Sequence, residues 1–372
     1  MSEPLTVGVN LLYLRPGQVG GSEVYVRALL ERLANRADIR LRLFCSAETS
    51  PSFATFETIS VFEGPYSLAA RLRAENWQLA RALGQHPVDL LWSPANFGAP
   101  FLPLRVPQVA TVHDLQHLCL PELFTKAKRM QRTAMFRATF KRCQQIIAIS
   151  EFTRNDVIER FGVSETHIHT ILEGFDPHIQ RDPQSEQATR KKYRLNRPFF
   201  YFPSTDSTHK NHETLLQAYA ALKVPVDLVF TGSTGHGSPP LPQRIEAMGL
   251  SQTVHALGFV DRHVVYDLMF QAEALVYPSR FEGFGLPLLE AMQCDTPVIA
   301  SQSGSIPEVA GNAALLVDAS DTTGWTAALQ RMLDEPALRT KLVARGRENL
   351  KRFSWERCAV ETVDIFRRAA QK

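Results

Sequence analysis

Residues 274–292 read ALVYPSRFEGFGLPLLEAM, and this stretch decides the predicted fold. Its first four residues are apolar strand formers, while Pro287 stands at the start of a run of good helix formers. Gly283 and Gly285 lie between these two segments. The pattern therefore predicts a buried strand, a tight glycine turn and the first turn of a helix, which together form the βα unit of a parallel sheet.

The same turn has the features of an anion site bordered by two carboxylates. Glycine lets the backbone approach a ligand closely, and we expect the N–H groups of residues 285 to 288 and the helix dipole to attract phosphate oxygens. Glu282 lies in the loop, and Glu290 lies about one turn inside the helix. Beside a phosphate, carboxylates must face hydroxyl groups, because like charges repel. A sugar nucleotide meets these requirements, and an ordinary βα turn with two surface glutamates is the plainer alternative.

Composition indicates a globular chain long enough for two domains. The chain has 372 residues, of which 44% are hydrophobic and 21% are charged. It has no apolar run of the ~18 residues that cross a bilayer and no signal-sequence pattern at Met1, so we expect a cytoplasmic protein. The five cysteines are scattered without a C-x-x-C pair, which predicts reduced thiols. A net charge of +3 gives no support for a nucleic-acid partner, and we expect none.

Strand candidates alternate with helical stretches in both halves of the chain. In the first half they are Leu5–Leu12, Leu41–Phe44, Asp89–Trp92, Val106–Val112 and Gln145–Ile149. In the second half they are Phe199–Phe202, Val226–Phe230, Thr253–Leu257 and Ala274–Tyr277. This alternation predicts two Rossmann-like, doubly wound α/β domains with parallel sheets, which bind ligands at the carboxyl ends of their strands.

The spacing of Glu282 and Glu290, with seven residues between them, resembles the E-x7-E motif of retaining glycosyltransferases. The chain as a whole resembles glycosyltransferase family 4, in particular mannosyltransferases of bacterial surface polysaccharide assembly. Members have the GT-B fold, two Rossmann-like domains with an interdomain cleft. The resemblance implies an acceptor-side domain at residues 1–180, a nucleotide-sugar-binding domain at 181–353, and a terminal helix at 354–372 that returns to the first domain.

Several segments of the first domain resemble family motifs. Gly20 and Gly21 begin the segment GGSE, which resembles the GG-x-E loop of the family. In family members this loop faces the donor phosphates. His113 follows a predicted strand and resembles the histidine of the H-D motif, which lies beside the transferred sugar; a histidine satisfied by packing is the plainer alternative. Ser150 predicts a helix N-cap without chemistry. Glu173 replaces the asparagine of the family's N-G-x-D stretch.

The second domain departs from the family at one position. Family members carry an arginine six positions before a lysine, and both side chains contact the donor diphosphate. Lys210 matches the lysine, but Ser204 stands in place of the arginine. A branch with a P-x-x-x-x-x-H-K-N-H loop shares this departure, which favours GDP-mannose as the donor and a UDP-sugar next. His209 and His212 have no partner at metal-ligand spacing and are interpreted as loop residues.

The sequence contains no D-x-D triplet, so we expect a transferase that needs neither a metal nor another cofactor. The resemblance implies transfer of a hexosyl group to a glycan or lipid-linked acceptor with retention of the α linkage. In this hypothesis Glu282 holds sugar hydroxyls, Glu290 holds the ribose, and His113 borders the sugar. The predicted catalytic residues are His113, Lys210 and Glu282. The predicted donor-binding residues are Gly20, Gly21, Ser204, Lys210, Val260, Glu282, Gly283, Phe284, Gly285, Leu286, Pro287 and Glu290.

The segment from Lys126 to Arg142 has seven basic residues and no acidic one. Apolar residues share the segment, so it predicts an amphipathic basic helix. One interpretation is attraction to anionic lipid head groups of the inner membrane leaflet or to a diphosphate-linked acceptor. The plainer one is a solvated face.

Two other functions stay open. A sugar-nucleotide epimerase or phosphorylase of the same fold is one, although no residue marks the lysine that a phosphorylase would need for pyridoxal phosphate. The other is a non-catalytic subunit that binds the nucleotide sugar and supports an active partner. Ser204 favours that interpretation, while the presence of His113, Lys210, Glu282 and Glu290 counts against it.

Overall fold

The computed structural model describes residues 3–17, 20–64, 67–98, 104–175, 178–233 and 239–371, apart from the side chains of Leu68 and Ala69. The chain divides into two compact units. One comprises Met1–Gly174 together with Ser354–Lys372, and the other comprises Phe175–Phe353. The sequence analysis placed the boundary slightly later, after residue 180.

The first unit is built on a parallel sheet. In the described residues its strands are β1 (Leu5–Asn10), β2 (Ile39–Ser46), β3 (Thr58–Phe62), β4 (Leu90–Ser93), β5 (Gln108–Val112), β6 (Gln145–Ala148) and β7 (Ile168–Thr170). They lie in the order β3-β2-β1-β4-β5-β6-β7. The accompanying α-helices are α1 (Gly21–Ala34), α2 (Leu68–Arg73), α3 (Leu79–Gln85), α4 (Gln116–Cys119), α5 (Lys126–Arg142) and α6 (Glu151–Phe161).

The second unit repeats this plan with a smaller sheet. Its described strands are β8 (Phe199–Pro203), β9 (Asp227–Thr231), β10 (Val254–Ala256), β11 (Ala274–Tyr277), β12 (Val298–Ser301) and β13 (Ala314–Val317). They lie in the order β10-β9-β8-β11-β12-β13 and are parallel. The helices are α7 (Pro183–Tyr193), α8 (His212–Ala220), α9 (Leu241–Ala247), α10 (Arg262–Gln271), α11 (Leu286–Gln293), α12 (Ile306–Ala310), α13 (Thr322–Asp334) and α14 (Pro336–Leu350).

The chain ends in helix α15 (Trp355–Ala370), which packs against α1 and against β4, β5 and β6 of the first unit. Ser354 caps it, because the serine side chain accepts a hydrogen bond from the N–H of Arg357. Gly174 fits closely against this helix start. A Cβ at Gly174 would lie 2.2 Å from the nitrogen of Trp355, so only glycine leaves room for this approach.

The two sheets confirm the predicted fold class, and burial explains the sequence pattern. Every residue of β5, β6, β11 and β12 is buried, as expected for parallel strands covered by helices on both faces. Such strands read as continuous apolar runs. Burying one large apolar side chain contributes ~1.5–3 kcal/mol, so these runs supply much of each core.

Strand order places particular loops side by side. In each sheet the strands wind outward in both directions from the first strand: β1 lies between β2 and β4, and β8 lies between β9 and β11. Doubly wound sheets bind ligands outside the carboxyl ends of the strands at this switch point. The loops that follow β8 and β11 therefore meet at one edge of the second sheet.

Among the residues that the structure describes, no helix combines the length and the apolar character needed to cross a membrane. The basic stretch forms helix α5, as predicted. Met135, Phe136 and Thr139 of this helix face the core, whereas Met130 is 70% exposed.

Candidate active site

The glycine turn of the second unit joins β11 to α11. Gly285 is the N-cap of α11 and has a φ of 112°, which favours glycine. The expectation that all N–H groups of residues 285 to 288 are available was wrong. Pro287 has no N–H, and the N–H of Leu288 donates to the carbonyl of Gly285 (3.0 Å). Within the described part of the chain, the N–H groups of Gly285 and Leu286 have no acceptor, so these two remain for an anion.

Lys210 and Glu282 form an ion pair at the switch point. Lys210 Nζ donates to Glu282 Oε1 (2.7 Å) and also contacts the hydroxyl of Tyr277 (3.4 Å). The side chains keep 17% and 14% of their surface exposed. Burial raises the pKa of Glu282, but the charge and the hydrogen bond of Lys210 outweigh that effect and hold this pKa below its usual value. Glu282 is therefore a carboxylate at neutral pH.

Asn211 fixes the lysine loop against the glycine turn. Its side-chain amide donates to the carbonyls of Pro278 (3.1 Å) and Ala319 (2.7 Å). The backbone of Asn211 has a φ of 62°, a conformation that asparagine tolerates better than most residues. The N–H of Arg280 donates to the carbonyl of His209 (2.7 Å) and joins the same two loops. The sequence analysis missed this role of Asn211, although the residue directly follows the predicted lysine.

Ser305 and Gly304 hold the other side of the Glu282 loop, and we call this contact the Ser305 clamp. The hydroxyl of Ser305 donates to the carbonyls of Glu282 (3.1 Å) and Phe284 (2.9 Å). Gly304 has a φ of +59°, and a Cβ there would lie 2.6 Å from the carbonyl oxygen of Glu282. These two residues are not among the predicted site residues, and the close approach of the two backbones is what requires glycine at position 304.

Glu290 lies on α11 and has its own partners. Its Oε1 accepts hydrogen bonds from Arg262 Nη2 (3.2 Å) and from the hydroxyl of Tyr266 (3.4 Å), two residues that the sequence analysis did not select. The side chains of two predicted donor-binding residues face the core: Val260 is buried, and Phe284 packs edge-on against Phe353 at 5.8 Å. Only the backbone of these two residues can meet a ligand.

Ser204 supplies no charge at the position of the expected arginine. Its N–H donates to the carbonyl of Thr231 (2.7 Å), and its hydroxyl donates to the carbonyl of Thr205 (3.0 Å). A Cβ at Gly232 would lie 2.2 Å from the carbonyl oxygen of Ser204, so the backbones pack tightly here. Ser204 therefore fixes the position of its loop through these contacts.

The interpretation of His212 as a loop residue was wrong. It is the first residue of α8, and its ring packs between Phe202 (5.0 Å) and Phe230 (5.2 Å). In the described residues neither ring nitrogen has a hydrogen-bond partner, and burial lowers the pKa to about 4. His212 is thus a neutral core histidine, while His209 lies in a short 3-10 turn at Thr208–Lys210.

The first unit contains the remaining predicted residues. Gly20 is the N-cap of α1 with a φ of 65°, and Gly21 begins the helix. The glutamate of the GGSE segment, Glu23, accepts hydrogen bonds from the N–H of Gly17 (2.8 Å) and from Arg27 Nε (2.9 Å). It therefore holds the glycine loop to the helix.

His113 follows β5 and is fixed by neighbours on several strands. Its N–H donates to Asn96 Oδ1 (2.8 Å), its Nε2 lies 2.7 Å from the carbonyl oxygen of Pro94, and its Nδ1 lies 3.6 Å from Glu173 Oε1. Ser150 caps α6, as predicted, by accepting from the N–H of Thr153. The pairing of His113 with Glu173 was missed, although the sequence marks Glu173 as a departure from the family pattern.

Comparison with known proteins identifies both units. Residues 19–179 match the family described as Glycosyltransferase Family 4, and residues 184–349 match the family described as Glycosyl transferases group 1. The O-antigen chain mannosyltransferase B of Escherichia coli is 31% identical over 286 residues, which cover 75% of this chain and 74% of that protein.

Solved structures share the fold over nearly the whole chain. A sucrose-phosphate synthase from Thermosynechococcus elongatus superposes with a TM-score of 0.81 at 23% identity, covering 98% of each chain. The Anabaena protein HepE, solved in complex with UDP-glucose, gives a TM-score of 0.79 at 19% identity and covers 97% of this chain and 99% of its own. With the two matched family domains and the mannosyltransferase relative, these findings show that the chain belongs to the GT-B glycosyltransferases of group 1 and family 4.

Proposed function

We propose that this glycosyltransferase moves a hexosyl group from a nucleoside diphosphate sugar to an acceptor hydroxyl, with retention of the α linkage and without a metal ion. The ion pair of Lys210 and Glu282, partly open to solvent beside the free N–H groups of Gly285 and Leu286, carries this proposal. The similarity to a mannosyltransferase, together with the lysine loop that lacks the arginine, favours GDP-mannose as the donor. A UDP-sugar is the next candidate, since a protein of the same fold binds UDP-glucose.

Lys210 and the two free N–H groups are suited to the donor diphosphate. When the diphosphate arrives, its oxygens compete with Glu282 for the ammonium group of Lys210. One preorganised donor of this kind contributes about 3 kcal/mol to stabilisation of a transition state. The absence of a D-x-D triplet supports a mechanism in which these groups neutralise the leaving group.

The glutamates are assigned to hydroxyl groups. The lowered pKa of Glu282 keeps it ionised, so it accepts hydrogen bonds from hydroxyls of the transferred sugar. Glu290 accepts from the ribose, and Arg262 and Tyr266 hold its carboxylate in place. From the family resemblance, we assign His113 a place beside the transferred sugar.

The reaction breaks the bond between the anomeric carbon and the diphosphate oxygen and forms one to the acceptor oxygen on the same face. The acceptor hydroxyl loses its proton to the departing diphosphate. The expected transition state resembles an oxocarbenium ion. Exclusion of water from the donor would limit its hydrolysis.

Calorimetric titration with GDP, UDP and ADP, followed by the matching sugar nucleotides, tests the proposal. We expect selective binding of one nucleotide and a clear loss of affinity in Glu290→Ala, because the ribose hydroxyls lose their acceptor. Glu348→Ala is a suitable control, since Glu348 is exposed on α14. If none of the nucleotides binds, or if Glu290→Ala binds as tightly as the native chain, the assignment of the donor site fails.

A non-catalytic subunit that binds the nucleotide sugar is the second candidate, and Ser204 favours it. The usual two-cation arrangement lacks one cation here, because Ser204 stands in place of the arginine. The Ser204 hydroxyl donates to the carbonyl of the neighbouring Thr205. Slow hydrolysis of the preferred sugar nucleotide by the purified chain separates the candidates. Hydrolysis that disappears in Lys210→Met supports the enzyme, whereas tight binding without any turnover, with or without added glycan acceptors, supports the subunit.

Helix α5 is proposed to contact an anionic lipid surface near a lipid-linked acceptor. Lys126, Lys128, Arg137 and Lys141 are exposed on it, as is Met130. Each basic side chain near such a surface contributes about 1 kcal/mol. We expect sedimentation with vesicles that contain phosphatidylglycerol, release by salt, and no binding to phosphatidylcholine alone. Equal binding to both vesicle types, or to neither, would contradict this contact.

A further inference from the structure

Each polar atom of His113 faces a group from the end of β4, from α6 or from the segment after β7. Its backbone N–H donates to Asn96 Oδ1 (2.8 Å), and its carbonyl accepts from the hydroxyl of Thr153 (3.3 Å). Its ring nitrogens face Pro94 and Glu173. The imidazole therefore has a single fixed orientation.

The partners determine where the ring protons lie. The carbonyl oxygen of Pro94, 2.7 Å from Nε2, can only accept a hydrogen bond, so Nε2 carries a proton. The other nitrogen, Nδ1, lies 3.6 Å from Glu173 Oε1, and the side chain of Glu173 is only 3% exposed. A carboxylate buried this deeply requires a partner. Burial raises the pKa of Glu173, whereas the neighbouring His113 lowers it. A second proton on Nδ1 would supply the charged partner and make the ring an imidazolium.

The surroundings offer Glu173 no other cation among the described residues. The titratable groups around the pair are Asp114, Tyr25 and Cys358, and each of them is neutral or negative. Tyr25 packs edge-on against the ring of His113 at 5.0 Å. Burial alone lowers the pKa of His113, but Glu173, the Pro94 carbonyl and Asp114 outweigh burial and raise it.

The backbone at Glu173 is also fixed, because Gly174 packs directly against Trp355 at the start of α15. The carboxylate of Glu173 is thus presented to His113 from a fixed backbone. An asparagine, the residue that the family pattern has here, could donate or accept one hydrogen bond but could not supply a negative charge.

We propose that Glu173 is a positioning residue that keeps His113 as an imidazolium with both nitrogens engaged. His113 then has no free lone pair and is not the base that accepts the acceptor proton. This inference rests on the proposed function only for its consequence in catalysis. It agrees with the step in which the departing diphosphate takes that proton.

Nitrogen-15 NMR of histidine-labelled full-length protein tests the inference without any substrate. The His113 signals are assigned as those that vanish in His113→Gln. We expect both ring nitrogens to remain protonated above pH 6.5, where an ordinary histidine has lost a proton. In Glu173→Gln and in Glu173→Asn the titration should move down by about 1 to 3 pH units, the usual effect of an adjacent opposite charge.

His169 is the internal control in the same spectra. It lies in β7, and its Nε2 bonds to Gln145 Oε1 (2.6 Å), so its signals should not move in the Glu173 variants. A native His113 with an unprotonated Nδ1, or a titration unchanged in both Glu173 variants, would overturn the inference. Glu173→Asn provides a second variant with the family's own residue if Glu173→Gln folds poorly.

Steady-state kinetics test the consequence for catalysis separately from the NMR experiment. If the chain turns over a donor, Glu173→Gln should lower kcat with little change in the donor KM, because the contacts assigned to the diphosphate and the ribose lie in the second unit. Because the titration of His113 moves to lower pH in this variant, the decline of kcat with rising pH should begin at a lower pH than in the native chain. A fall in kcat with an unmoved NMR titration would show a merely structural role for Glu173 and contradict the proposal. Absence of turnover in the native chain would refute the proposed function and leave the NMR result intact.

Discussion

Each unit places an ion pair between a cation and a glutamate at the ends of its strands, and these two pairs differ in exposure. Lys210 and Glu282 are 2.7 Å apart and keep 17% and 14% of their side-chain surface exposed. His113 and Glu173 are 3.6 Å apart, with 11% and 3% exposed. The first pair is open enough to exchange one partner for a ligand. The second is enclosed by aromatic and backbone groups and behaves as a fixed part of the scaffold.

Topology explains why both pairs lie at strand ends. Lys210 and Glu282 follow neighbouring strands, β8 and β11, at the switch point of the second sheet. His113 follows β5, next to β4, whose end supplies Pro94 and Asn96. The same architecture therefore builds a ligand-exchangeable pair in one unit and a permanent pair in the other. The comparison teaches that burial, and not residue type alone, decides which charges are available to a substrate.

Breaking the buried pair should have the largest effect on stability. In His113→Leu the carboxylate of Glu173 stays buried without a cation, which costs about 3–5 kcal/mol of unfolding free energy. Scanning calorimetry should show a lower transition for the first unit, and the double variant His113→Leu with Glu173→Leu should recover much of the loss. Lys210→Met is the matched comparison, and its loss should be smaller, because Glu282 keeps 14% of its side-chain surface exposed to solvent. Equal losses of unfolding free energy in His113→Leu and Lys210→Met would contradict the difference in burial between the two pairs.

A smaller effect is expected at the Ser305 clamp, which holds the loop of the Lys210–Glu282 pair. Gly304→Ala places a methyl group 2.6 Å from the Glu282 carbonyl in a backbone conformation with a φ of +59°. The left-handed conformation alone costs about 1–2 kcal/mol, and the contact must also move the Glu282 loop. Donor affinity should therefore fall along with stability. Gly249→Ala has a similar φ of +69° and no atom within 4 Å of the added Cβ, so it should lose stability without losing donor affinity.

Each unit also buries one neutral histidine, and these should make both units sensitive to acid. His117 stacks on Phe136 at 5.3 Å, and burial lowers its pKa, like that of His212, to about 4. Below about pH 6.5 the unfolded chain binds a proton at each position while the native chain does not. The unfolding free energy should therefore fall as pH drops from about 6.5 towards 4, by at most about 1.4 kcal/mol per pH unit for each histidine.

Replacement by phenylalanine checks this acid sensitivity. His117→Phe and His212→Phe should each flatten the dependence of unfolding free energy on pH in that window. His263→Phe is the control, because His263 is exposed, and it should leave the dependence unchanged. A native protein equally stable at pH 6.5 and pH 4.5 would contradict the buried, neutral state of both histidines.

The fold could be predicted from the sequence because fully buried parallel strands leave continuous apolar runs. The strands that the sequence analysis did not select include β3 at Thr58–Phe62 and β13 at Ala314–Val317, which lie at sheet edges and are only partly buried. Partial burial weakens the apolar signal that marks a strand. Helix α5 was predicted with its observed bounds because its charge pattern is continuous.

The candidate site could be predicted only where a local motif records it. Glu282, Glu290 and Lys210 were selected because each lies in a short recognisable segment. Glu173, Asn211 and Ser305 act through contacts with residues far away in the chain, and local patterns carry no record of such partners. The resemblance to a family supplied the roles, while the structure supplied the pairings.

The most direct test of the open pair compares a nucleoside diphosphate with its nucleoside. The preferred nucleotide and the matching nucleoside are titrated calorimetrically into the native chain, Lys210→Met and, as a control, Lys351→Met, whose lysine is exposed on the second unit. A charged hydrogen bond to phosphate contributes about 1.5–3 kcal/mol. We expect Lys210→Met to lose at least about tenfold in affinity for the diphosphate and to keep its affinity for the nucleoside, and we expect Lys351→Met to change neither. Unchanged diphosphate binding in Lys210→Met would contradict the proposed contact between Lys210 and the diphosphate.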